Sequence, residues 1–159
     1  MSNDRFLAIY LNDHLAGSII GFELAKRAAA SNKGTSTGVF LSQLARDIEQ
    51  DRNSLESLMS ELGIRKDRLK DAAAWMAEKV GRLKQNGRIV GYSNLSRLVE
   101  LEWLSLGVEG KLSMWRNLIQ VRDKYPPLAE ANLEELIRRA ETQRADLERV
   151  RLEAATGVL

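Results

Sequence analysis

Histidine occurs once in this chain, at position 14, and cysteine does not occur. Disulfides, thiolate nucleophiles and thiolate metal sites are therefore excluded. A single imidazole gives no basis for a Ser-His-Asp arrangement. What remains for chemistry is a set of carboxylates and cations among apolar stripes. Asp51 is the most informative of them. The stripe Leu41, Leu44, Ile48, Leu55, Leu58, Leu62 alternates by three and four residues but skips one place, and Asp51 fills it. A carboxylate facing a core must be neutral or paired. Glu102 and Glu109, two turns apart, are further candidates, as are Glu141 and Arg144 near the C-terminus. Arg144 is a permanent cation, so it can balance a buried acid but repels a metal ion. Three readings stay open for these residues. They can lie at the edge of a core with their heads in water. They can form a buried structural ion-pair network, or they can form a functional site.

The other charged and glycine-rich segments are less specific. Between Arg65 and Arg88 there are eight Lys or Arg and three acids, a local excess that could meet a phosphate-rich partner. Trp75 is the only aromatic there and no nucleic-acid motif is present, so a solvated face of an amphipathic helix is the expectation and nucleic acid is not. Gly87-Arg88-Ile89-Val90-Gly91 does not match a phosphate loop. Arg138, Arg139, Arg144, Arg149 and Arg151 alternate with glutamates at helical spacing, as exposed intrahelical pairs do. Trp75, Trp103 and Trp115 suit either a core or a dimer interface. The net charge of +2 implies no particular partner.

The elements that must position these residues are helices. The chain has 159 residues, enough for one core, and only two prolines, adjacent at Pro126 and Pro127. The pattern predicts long helices over about 4–31, 37–62, 94–123 and 132–155, with a basic crossover helix over about 66–85. Gly63 before Ile64 reads as a left-handed stop, and Asn132 with Glu135 as a capping-box-like start. Gly17 and Gly21 share one helical face, which suggests close approach of another helix. The start, Met1-Ser2-Asn3-Asp4, lacks a basic region followed by an apolar stretch, and no apolar run is long enough to span a membrane. A cytoplasmic location is expected, with no membrane partner.

Two hairpins joined by a connection of about thirty residues resemble the ferritin-like superfamily. The resemblance implies an all-α antiparallel four-helix bundle with a long helical crossover between the second and third long helices. An ordinary bundle of other connectivity is the alternative. It also implies a central pair of metal ions held by two Glu and two Glu-x-x-His motifs. Where those motifs would fall, the chain reads Asp51-Arg52-Asn53-Ser54 and Glu141-Thr142-Gln143-Arg144, with no histidine in either. A degenerate centre is the expectation: His14, Asp51, Glu102, Glu109, Glu141 and Arg144 as a central polar cluster, with Arg144 as its cation and no cofactor. The expected role is a non-catalytic one through interaction or assembly, as a homodimer. The alternatives are a divergent metal-dependent oxidase or storage protein using His14, Asp51, Glu102 or Glu109, and Glu141, and anion or nucleic-acid binding at the crossover.

Overall fold

A computed structural model of the chain describes residues 2–67 and 91–159. Most of the crossover helix expected over 66–85, Trp75 with it, lies outside the described residues. Lys66 and Asp67 are described, and they are not helical. Among the described residues all regular structure is helical. It comprises α1 (Ser2–Ser31), α2 (Ser36–Glu61), α3 (Asn94–Gln120), a 3-10 turn (Arg122–Lys124), the short α4 (Pro126–Glu130) and α5 (Leu133–Thr156). No described helix is long and apolar enough to cross a membrane.

Each boundary has a local cause. The turn between α1 and α2 uses Gly34 at φ 84°, and Thr35 then caps α2 by accepting from the Gly38 amide at 3.1 Å. Gly38 must be glycine, because a Cβ there would collide with the carbonyl of Asn32. At the other end of α2, Gly63 takes φ 67° and the Ile64 amide reaches back to the Met59 carbonyl at 2.9 Å, the stop expected from sequence. Ser93 and Ser96 close a capping box on α3. Asn132 caps α5 through the Glu135 amide. One expectation needs correction. The third long helix ends at Gln120, before 123, and Pro126 and Pro127 open the short α4, where a missing amide costs nothing.

Four long helices make the packing. α1 contacts α2 and α3, and α5 contacts α3 and α2. Cross-pairs set their directions. Arg27 meets Glu100 while Tyr10 meets Asn117, so α1 and α3 run oppositely. Arg122 meets Glu134 and Arg151 approaches Glu102, so α3 and α5 also run oppositely. The tight turn reverses α2 against α1, which leaves α2 and α3 pointing the same way. The connection between them is tied at one end to Asn12 of α1 and at the other to Asn32, the residue after α1. Asn12 holds the Arg65 carbonyl at 3.1 Å and the Asp67 amide at 2.8 Å. Twenty residues on, roughly 30 Å at helical rise, buried Asn32 donates to the Tyr92 hydroxyl, which donates to Glu100.

The apolar interior divides in two. One cluster gathers Leu11, Leu15, Leu55, Leu112, Trp115 and Leu133 with their neighbours. The other gathers Ala25, Leu41, Ile48, Leu101, Val108 and Leu147 with theirs. On α2 the gap between clusters falls at Asp51, on α3 at Lys111 and on α5 at Gln143. On α1 it falls at the segment from Gly17 to Gly21. A polar layer thus crosses the molecule at mid-height.

Candidate functional site

Asp51 is the centre of that layer and is buried. Lys111 Nζ donates to its Oδ2 at 2.6 Å, and Gln143 Nε2 donates to the same oxygen at 3.0 Å. Lys111 also donates to Gln143 Oε1, closing a ring of three side chains. Arg139 Nη2 lies 3.0 Å from Asp51 Oδ1, but off line, so this contact is a charge pairing and leaves that oxygen without an aligned hydrogen bond. Burial holds the Lys111 ammonium below its usual range, outweighing the pull of Asp51; Arg139 pushes the same way and Asp47 opposes it. The layer is thus a desolvated acid held between two cations.

Of the six residues expected at the centre, the structure brings only Asp51 there. Arg144 lies at the surface and pairs with Glu109 at 3.0 Å, both about half exposed. Glu141 pairs with Arg116 at 2.7 Å, and Glu102 faces solvent 3.8 Å from Arg151. The reason is helical phase. Glu102, Glu109, Glu141 and Arg144 each follow a buried residue directly: Leu101, Val108, Ala140 and Gln143. One step along a helix turns the side chain by about 100°, which carries all four off the inward line. Sequence reasoning missed Lys111, Arg139 and Gln143. The signal for two of them was the one that singled out Asp51, since Lys111 sits at i+3 from Val108 and Gln143 at i+3 from Ala140, on inward stripes.

His14 is half-buried and stands edge-on to Tyr10, with ring centroids 4.6 Å apart. Burial lowers its pKa, and Asp13 offsets this in part. No hydrogen bond joins it to Asp51 among the described residues.

This donor set does not fit the metal pair of the ferritin-like family. One carboxylate, one amide, an ammonium and a guanidinium occupy the layer. The described residues hold no group of three His, Asp or Glu close enough to share a metal ion. A metal ion placed beside Asp51 would meet two positive charges already paired with it.

Beside the layer a groove opens between α1 and α3, with a volume near 240 Å³. Gly17 and Gly21 form one wall and Gly107 and Gly110 the other, while Asp51 and Lys111 lie on its floor. Gly17 and Gly21 are not required by a neighbouring helix, because a Cβ built at any of the four would have no neighbour within 4 Å. Buried Trp115 also lines the groove, and its indole N–H has no acceptor among the described residues. No family model matches the chain, and comparison with curated proteins and with solved structures finds no significant match.

Proposed function

We propose that the chain is a ferritin-like antiparallel four-helix bundle that works without a resident metal pair, as a non-catalytic cytoplasmic protein acting through interaction or assembly. The fold part is supported by the closed cycle of neighbours, α1 with α2 and α3, and α5 with α3 and α2. It is also supported by α2 and α3 pointing the same way, which requires a long connection. The observation that carries the functional part is the Lys111 ammonium 2.6 Å from buried Asp51. A lysine at mid-height supplies the positive charge that metal ions supply in metal-bearing bundles of this kind.

Protein purified from cells grown with added iron and manganese tests this by elemental analysis. The expected result is substoichiometric metal, with no change in melting temperature on adding either ion. One or more equivalents per chain, lost in Asp51→Asn, would overturn the reading. Assembly as a homodimer belongs to the same proposal. It rests on the apolar side chains that α3 leaves in solvent outside the groove, Leu95, Val99 and Leu106, which a second copy would cover.

A further inference from the structure

We infer that the groove between α1 and α3 is a binding site for a flat, mainly apolar molecule carrying one carboxylate, of the size of a bicyclic aromatic acid. The inference rests on the preceding proposal in one respect: Lys111 must remain beside Asp51 in place of a metal.

The walls indicate a flat body. Arg27 paired with Glu100, and Tyr10 paired with Asn117, fix the register of the two helices. In that register Gly17 stands level with Gly110, and Gly21 nearly level with Gly107. A helix-interior glycine costs roughly 0.5–1 kcal/mol against alanine, and packing does not require it at any of these four positions. What the four make together is a slot with bare backbone on both sides, into which a planar group can slide. The remaining lining is mostly apolar, including Ile48, Leu55 and Val108.

The volume sets the size. An apolar cavity of ~150 Å³ accepts benzene, so about 240 Å³ has room for two fused rings and a small head. A helix from another copy fits less well. One turn of a helix ~10 Å across and ~5.4 Å long occupies about 400 Å³, more than the 240 Å³ of the groove, so it would leave the floor uncovered.

The floor indicates the head. The Lys111 ammonium has three N–H donors and commits two, to Asp51 and Gln143. Its side chain keeps 15% exposure and lines the groove. The surroundings of Lys111 carry charges of both signs. In the layer one acid, Asp51, faces two cations, Lys111 and Arg139. Around it Asp47 lies a turn away on α2, Arg52 is paired with Glu49, and Asp13 is exposed at the mouth. A carboxylate seated on Lys111 takes the third N–H of the ammonium where water is scarce, and there the charge-assisted bond is strongest.

The test is calorimetric titration of the full chain with 2-naphthoate, neutral 2-naphthamide and cationic 2-naphthylmethylamine, with metal content measured on the same sample. One carboxylate is expected to bind per chain, at least about tenfold tighter than the other two, as one charged hydrogen bond implies. Gly107→Leu projects a side chain into the slot from a position free of neighbours and should abolish binding while the melting temperature holds or rises. Lys111→Met should reduce the affinity for the acid to that for the amide. Absence of saturable binding of the acid overturns the inference. So does an equal or higher affinity for the amide or amine, or binding that survives Gly107→Leu. No ligand binding together with loss of a dimer in Gly107→Leu would assign the groove to a second copy and overturn it as well. Stoichiometric metal in the sample would instead overturn the preceding proposal.

Discussion

Removing the Asp51 carboxylate would leave Lys111 and Arg139 facing each other across a dry layer, each without its buried partner. Breaking a buried pair typically costs 3–5 kcal/mol. Lys111 and Arg139 retain 15% and 23% side-chain exposure, so water recovers part of the loss. Asp51→Ala is therefore expected to cost about 3 kcal/mol in urea or guanidinium unfolding, the low end of that range. A change within about 0.5 kcal/mol, the usual surface value, would remove the buried pair from the account. Lys111 makes a separate expectation about pH. Its folded pKa is lowered, so between that value and the ordinary 10.5 the unfolded chain holds more protons. Stability from this group therefore rises as pH climbs through that window. Tyr92 acts oppositely and later. Its pKa is pushed up to about 12 by burial, so it is a loss as pH rises above 10. The difference in stability between wild type and Lys111→Met, followed from pH 7 to 10, isolates the lysine. A flat difference would mean that the ammonium is not desolvated.

At the scale of the element, the glycines separate into two kinds that sequence alone cannot distinguish. Gly38 begins α2 against the Asn32 carbonyl, and Gly38→Ala must push that turn apart. Gly17 and Gly107 sit inside helices with open space where a Cβ would stand. Alanine at either removes a helix penalty and should stabilise by roughly 0.5–1 kcal/mol. Thermal melts of the three variants should therefore shift in opposite directions, down for Gly38→Ala and up for the other two. A drop at Gly17→Ala or Gly107→Ala would show that these positions are packed after all. The helices also differ in how firmly their ends are set. α2, α3 and α5 carry side-chain caps and α2 a glycine stop, whereas the 3-10 turn and α4 that lie between α3 and α5 have none.

For the whole molecule, the division of the core into two apolar clusters by one charged layer matters most. Each cluster is closed by residues from several helices, so neither hairpin buries its apolar face alone. The layer then fixes how the hairpins meet. Asp51 of α2 reaches Lys111 of α3 and Gln143 of α5, and a sliding of either hairpin would leave the acid unpaired. The outside carries the other expectation at this scale. Leu95 is 51% exposed and Leu106 65%. If a second copy covers them, Leu106→Glu should halve the mass measured by light scattering, from twice 17.9 kDa to that of one chain, with little change in melting temperature. A wild-type mass of one chain at high concentration would remove the dimer.

The sequence alone determined that the regular structure of the described residues is helical, where the long helices start and stop to within a few residues, and that position 51 is an acid on an inward stripe. These are properties of local pattern: helix-forming residues, apolar spacing, caps and a glycine stop act within a few residues of themselves. The partners of Asp51 were only partly legible. Lys111 and Gln143 lie on inward stripes, but a stripe has a width of several residues. Whether Gln143 or its neighbour Arg144 faces inward is a matter of ~100° of rotation that packing against α2 and α3 decides. The glycine pairs were visible too, but whether they admit a helix or leave a slot depends on how far apart α1 and α3 settle. That separation is set by side chains distant in sequence from the glycines themselves, so it belongs to the tertiary structure.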